Sequence, residues 1–384
     1  ITDTNKKGTL VTQKDAEGKE VDTFVTDKDG YVITPEKLSA GTYEIREVKA
    51  PEGYVRQGYG SLTGSEYTEE QKKQLQDPIQ ITIASDTEYK VDAQGNPYLE
   101  VEQYDREIKG KLTLTKFGEK LTDGSGPRMR TESGEESSVT WSYQKSRVEG
   151  AKFELYAKEE ILAPYGSGTV LYQKDALVDT LTTDESGIAE KADLPLGSYY
   201  LKEVTAGTHY VRMTDPIDVT LKAEDDMAAV VYADKEVTND RQKLSISLVK
   251  QDAVSKKPLE GVEFGLYAKE DIYPELFGGE KKALIQKDAL IETGRTDKDG
   301  KLTFQSDLPH GKYYVKEVKS IPGYVANAEM WDIDATYDPA NQDASVLSYT
   351  HTFENQPTET RITKRDAATG KELEGAKLQV LDAK

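Results

Sequence analysis

The sequence contains no cysteine. Disulfides and thiolate metal sites are therefore excluded. Histidine occurs three times, at His209, His310 and His351, with no shared ligand spacing. No metal site and no cofactor are expected. No apolar run approaches the ~20 residues of a membrane-spanning helix. Nothing at Ile1 reads as a signal peptide, so the segment is expected either to be intracellular or to be cut from a longer exported chain. Basic charge is scarce: 50 Lys and Arg face 70 Asp and Glu, a net charge of −20. A nucleic-acid footprint is absent, and an anionic membrane would repel the chain. Neither nucleic acid nor membrane insertion is expected. No glycine-rich phosphate loop or nucleophile elbow occurs, and no turnover chemistry is expected.

What is present is tyrosine and repetition. Of 32 aromatic residues 23 are Tyr, a residue suited to half-buried strands. "GTYEIREVKAPEGYV" (41–55) recurs as "GSYYLKEVTAGTHYV" (197–211) and "GKYYVKEVKSIPGYV" (311–325). Upstream lie the turns "TDKDG" (26–30), "TDESG" (183–187) and "TDKDG" (296–300). "EGAKFELYAKEEI" (149–161) matches "EGVEFGLYAKEDI" (260–272), and "EGAKLQVL" (374–381) opens a further copy. Short alternating runs with frequent turns predict tandem all-β sandwiches of roughly 100 residues each.

Boundaries fall near 107, 242 and 358. Residues 1–107 form a copy lacking its opening strand, 108–241 a complete copy with an insertion at 117–148, 242–357 a second complete copy, and 358–384 the first two strands of a fourth. The insertion follows from spacing: Lys116 to Glu149 spans 33 residues, whereas Lys250 to Glu260 and Lys364 to Glu374 span 10. It reads as a surface loop or added hairpin, strand-like around Val139–Tyr143. A short helix is predicted at 66–76.

Strand side chains alternate, so residues two apart share a face. Leu112 and Leu114 lead to Lys116, and Ile246 and Leu248 lead to Lys250. Ile362 leads to Lys364. Tyr199 and Leu201 lead to Glu203, as Tyr313 and Val315 lead to Glu317 and Tyr43 and Ile45 to Glu47. Val237 leads to Asn239, and Phe353 to Asn355. Each complete copy thus sets one Lys, one Glu and one Asn on inward faces. An isolated buried charge costs several kcal/mol. Three readings are open: the tips reach water, or a buried Lys–Glu ion pair sits beside the Asn, or burial neutralises both charges. In the third case the amine can attack the Asn side-chain carbonyl, with the Glu moving protons, to give a Lys–Asn amide.

The pattern resembles the Cna B-type domains of Gram-positive surface proteins and pilins, also called SpaA-type or prealbumin-like. Those domains carry Lys in a first-strand K-x-D, Glu in Y-x-x-x-E-x-x-A-P-x-G-Y, and Asn in the last strand. The Lys motif matches at Lys250-Gln251-Asp252 and Lys364-Arg365-Asp366, but lacks its Asp at Lys116-Phe117-Gly118. The Glu motif is complete at Glu47 with Ala50-Pro51-Glu52-Gly53-Tyr54. It is degraded at Glu203 (Ala206-Gly207-Thr208-His209-Tyr210) and partial at Glu317 (Ile321-Pro322-Gly323-Tyr324).

The resemblance covers the whole chain apart from its insertions. It implies tandem Ig-like, prealbumin-like β-sandwiches in an elongated rod, stabilised by autocatalytic intramolecular isopeptide bonds. The triads would be Lys116–Glu203–Asn239 and Lys250–Glu317–Asn355. In the first copy Leu99, Val101 and Gln103 lead to Asp105, an acceptor that would lose water instead of ammonia. Its lysine would lie roughly 16 residues upstream of Ile1, if the fourth copy is the guide. Lys364 would serve the fourth copy. The implied role is a structural stalk of a secreted, cell-wall-anchored adhesin or pilin-like protein, on the outer surface of a Gram-positive bacterium. Covalent pilus or wall attachment belongs to that reading. The alternative is a module that binds a host surface protein or glycan through its loops or insertion.

Three smaller readings complete the sequence. The Asp27/Asp29 and Asp297/Asp299 turns read as hairpin turns, with weak surface calcium the lesser reading. Trp141 and Trp331 read as packing residues. His310 replaces Leu196 in a turn.

Overall fold

The computed structural model describes residues 2–3, 9–58, 78–125, 138–164, 168–276 and 282–381. The helix expected at 66–76 lies outside the described residues. The chain divides into two compact units: residues 1–118 with 146–240, and residues 119–145 with 241–384.

In the first unit, β1 (Gly41–Ile45) pairs antiparallel with β2 (Ile79–Ile83) and with the two-residue strand Thr2–Asp3, which in turn pairs with Thr9–Leu10. Residues 99–105, expected as an alternating strand, join no ladder. In the two following copies the corresponding segment pairs with the strand that carries the lysine.

The same unit holds a complete sandwich. Its strands are β3 (Lys109–Ser125) as far as Gly118, the last two residues of β4 (Thr140–Arg147), β5 (Lys152–Ala157), β6 (Leu177–Thr182), β7 (Ile188–Leu194), β8 (Gly197–Thr205), β9 (Ile217–Leu221) and β10 (Val230–Thr238). The start of β3 lies between β7, antiparallel, and β10, parallel. The facing sheet runs β6–β5–β8–β9. Leu112, Leu114, Phe153, Leu155, Tyr199 and Leu201 meet in the core between them, all fully buried. The alternation of β3 is strict as far as Gly118, and Lys116 falls on the buried face with the two leucines.

The second unit repeats this plan with β11 (Lys243–Asp252), β12 (Glu263–Ala268), β13 (Leu290–Arg295), β14 (Lys301–Thr303), β15 (Gly311–Lys319), β16 (Met330–Ala335) and β17 (Val346–Asn355). One sheet is β14–β11–β17 and the other β13–β12–β15–β16. First and last strands are parallel neighbours over ten registered pairs, from Lys243↔Val346 to Asp252↔Asn355. A tyrosine recurs at one corner of each of the first three copies. The hydroxyls of Tyr43, Tyr199 and Tyr313 donate to the carbonyls of Ser39, Pro195 and Pro309, four residues back. Each ring is thereby buried without an orphaned hydroxyl.

The insertion forms a hairpin whose arms are the end of β3 and the start of β4. Residues 119–145 belong to the second unit. Leu121 and Val139 are 1% and 2% exposed and join the hydrophobic core there, with Trp141 and Tyr143 packed alongside. Backbone hydrogen bonds fix the register: Glu275 N to Leu121 O at 2.9 Å and Val139 N to Ile291 O at 2.8 Å. The Arg241 guanidinium stacks 3.8 Å from the Tyr143 ring centroid while bonding Asp307 at 2.5 Å. The hairpin also explains a burial pattern. β12 and β13 are buried on both faces for most of their length, whereas β5 alternates.

Candidate functional site

Parallel pairing of first and last strands sets the lysine beside the asparagine. Lys250 is registered with Phe353, and Asn355 lies two residues further along the same face. Lys116 is registered with Val237, two residues before Asn239. The glutamates project from the facing sheet, on β8 and β15. Each triad therefore closes across the sandwich core.

In the sandwich of residues 243–355, Lys250 and Asn355 are wholly buried. Lys250 Nζ lies 3.0 Å from Glu317 Oε2 and donates to Asn355 Oδ1 at 2.5 Å. Asn355 Nδ2 donates to Glu317 Oε1 at 2.9 Å and to Ser320 Oγ at 3.0 Å. The Phe264 and Phe353 ring centroids stand 5.7 and 5.8 Å from Nζ. Burial holds the Lys250 amine below the usual lysine range, against the opposing pull of Glu317.

The sandwich of residues 109–238 repeats this with one change. Lys116 Nζ lies 2.8 Å from Glu203 Oε1, both side chains fully buried. Asn239 Nδ2 donates to Glu203 Oε2 at 2.5 Å and to the Val211 carbonyl at 2.8 Å. Asn239 Oδ1 is buried without a hydrogen-bond partner. Burial again lowers the Lys116 amine, opposed by Glu203. In both sandwiches the glutamate touches amine and amide at once.

In the first copy, burial and the neighbouring Asp105 push Glu47 up to about 7, although a hydrogen bond from Gln57 N opposes the rise. Burial also raises Asp105. The two acids form one coupled site. The unfolded chain releases the Glu47 proton near 4.5 and the fold holds it to about 7. The fold therefore binds the extra proton in that window, and its stability falls as pH rises through it. Glu47 is partly exposed, so solvent screening reduces the loss to about 1–2 kcal/mol between roughly pH 5 and pH 7.5. Urea unfolding with the 41–57 peptide as hydrogen-exchange reporter should show the drop, and Glu47→Gln should flatten it.

Sequence reasoning overlooked a backbone donor ten residues after each glutamate. Gln57 N, Met213 N and Asn327 N donate to Glu47, Glu203 and Glu317 at 2.7, 2.6 and 3.4 Å. The constant spacing was the available signal. Ser320 was also overlooked. It stands three residues after Glu317, where the other copies have the buried Ala50 and Ala206.

The worn motifs have structural counterparts. Asp252 accepts from Tyr324 OH at 2.9 Å and from the Val254 and Ser255 amides, which hold its carboxyl at about 2. Where that Asp is missing, Tyr210 packs onto Gly118: a Cβ there would lie 2.2 Å from the ring. Gly53 and Gly323 adopt φ of 83° and 86°, and His209 occupies the same place at 77°. A side chain in that region costs on the order of 1 kcal/mol. His209→Gly should stabilise its sandwich by about that amount in thermal melts.

Lys364 is exposed. Its turn nonetheless repeats that of Lys250. Leu373 N bonds Lys364 O as Leu259 N bonds Lys250 O, and Asp366 N bonds Lys371 O as Asp252 N bonds Lys257 O. The turn aspartates Asp27 and Asp297 each accept two backbone amides of their own loops. Among the described residues no cluster of acidic and histidine side chains could hold a metal ion.

The chain is 26% identical over 203 residues to the trypsin-resistant surface T6 protein of Streptococcus pyogenes serotype M6. That match covers 52% of this chain and 30% of the T6 protein, so the chain spans under a third of that relative's length. Among solved structures, the Bacillus anthracis TIE protein aligns at 22% identity and TM-score 0.42, covering 66% of this chain and 35% of its own. The minor pilin GBS52 of Streptococcus agalactiae aligns at 21% identity and TM-score 0.23, covering 67% of this chain and 100% of its own. The SpaA prealbumin-like fold domain matches residues 2–59, 140–236 and 244–347, well over half of the sequence. The chain belongs to the SpaA prealbumin-like domain family.

Proposed function

We propose that the chain is stalk material of a Gram-positive surface protein, an adhesin or pilin-like component, whose sandwiches are closed by Lys116–Asn239 and Lys250–Asn355 isopeptide bonds. We take residues 1–107, 108–241, 242–357 and 358–384 as its successive domains. The observation that carries the reading is the glutamate bridging a buried amine and a buried amide in both complete sandwiches. Burial favours neutral forms, so the amine keeps a lone pair for attack. Nζ bonds the Asn Cγ, the glutamate relays a proton to Nδ2, and ammonia leaves. The bond then joins the first strand to the last, and tension along the chain bypasses most of each sheet. Glu47 and Asp105 form the corresponding acid pair for a lysine outside this sequence, and Lys364 the corresponding amine. The surface location, covalent wall or pilus attachment, and host protein or glycan partners belong to the same proposal for the larger protein. Intact mass tests the chemistry: each bond should lower the sequence mass by about 17 Da, the mass of ammonia. An unshifted mass would sink the idea.

A further inference from the structure

The two triads differ in what holds the departing nitrogen. Asn239 Nδ2 spends its second hydrogen on the Val211 carbonyl, whereas Asn355 Nδ2 spends it on the Ser320 hydroxyl. Both hydrogens are placed, on Glu317 and Ser320, and the carboxylate, which only accepts, disfavours a flip of the Asn355 amide. Its carbonyl oxygen then faces Lys250 Nζ. The corresponding position is Ala50 in the first copy and the fully buried Ala206 in the second. The backbone at this site accepts alanine, so the fold does not require the hydroxyl.

We propose that Ser320 is a further catalytic residue of the Lys250–Asn355 cross-link, orienting the amide for attack and holding its nitrogen until it departs. The inference rests on the cross-linking reading above. In the attack the Nζ lone pair forms the bond to Cγ, and the carbonyl π pair moves to Oδ1. One proton passes from Nζ to Nδ2 by way of Glu317. The Cγ–Nδ2 bond breaks, its electron pair leaves with ammonia, and the carbonyl re-forms. Ser320 gains and loses no proton overall. It accepts from the planar amide nitrogen at the start. Once that nitrogen becomes pyramidal and carries a lone pair, the same hydroxyl can turn and donate to it. A backbone carbonyl can only accept, so Val211 keeps its bond to an N–H but cannot donate to the new lone pair as Ser320 can.

The test follows the full chain made by cell-free synthesis, with aliquots quenched over time in acid and denaturant. Peptide masses read the two linkages separately, and native aliquots are probed by limited proteolysis for folding. Ser320→Ala and Ser320→Gly should each slow the Lys250–Asn355 linkage about tenfold, the worth of one hydrogen bond in the transition state. The Lys116–Asn239 linkage in the same molecules should keep its rate, and the unlinked sandwich should resist protease. Wild-type rates in either variant would overturn the role of Ser320. So would slowing of both linkages together, or protease cleavage of the sandwich before it links. Absence of both linkages in the wild-type chain would instead overturn the cross-linking reading itself.

Discussion

Glu317→Ala should leave the Lys250–Asn355 sandwich unlinked, so that the chain keeps about 17 Da that the parent sequence loses as ammonia. The Lys116–Asn239 bond should still form. The unlinked sandwich should lose on the order of 4–5 kcal/mol, by analogy with a disulfide closing a loop of similar size. The two residues are 105 apart in sequence. A loss of that size lowers the melting temperature by on the order of 20 °C for a domain of about 100 residues. Alanine also strands the Asn327 amide and one Asn355 hydrogen that Glu317 accepts. Glu317→Gln, which keeps acceptor capacity but cannot relay the proton, isolates the share due to the bond. Calorimetry and intact mass on the same samples give both numbers. A Glu317→Ala chain with the full wild-type mass deficit would remove the acid from the chemistry.

Leu121→Ala should destabilise the second unit by about 3 kcal/mol, although Leu121 belongs to an insertion in the preceding repeat. The side chain is 1% exposed and packs in one core with Ile246, Phe264 and Leu308. A leucine in a solvated loop would cost under about 0.5 kcal/mol. Denaturant unfolding separates these outcomes. Hydrogen exchange should localise the loss to β12 and β13.

The sequence made the triads legible because period-two alternation and repetition are both local signals. Lys116, Lys250, Glu203 and Glu317 could be placed on inward faces by counting residues. The meeting of each lysine with its asparagine was harder to see, because it depends on a parallel pairing across more than 100 residues that no local pattern encodes. The family resemblance supplied it. The insertion was legible as a loop or hairpin, strand-like around Val139, but its docking was not, because the apolar partners of Leu121 and Val139 belong to the next repeat. Residues 99–105 show the opposite failure. Their alternation is sound, but a strand needs a neighbour to bond to, and among the described residues this segment pairs with none. The lost Asp at Gly118 looked like decay in sequence. In the structure, Tyr210 fills its place, so the two departures compensate each other.

The parallel register of β11 and β17 has a consequence for extensibility. A pull on the two ends of this sandwich shears all ten registered pairs at once, whereas a hairpin's pairs would open one after another. If the ladder yields without a cross-link, the 105-residue separation between Lys250 and Asn355 pays out about 350 Å of slack. With the cross-link in place that length is never released. The difference is between a shock absorber and an inextensible tether, and a single buried amide decides which of the two the sandwich is.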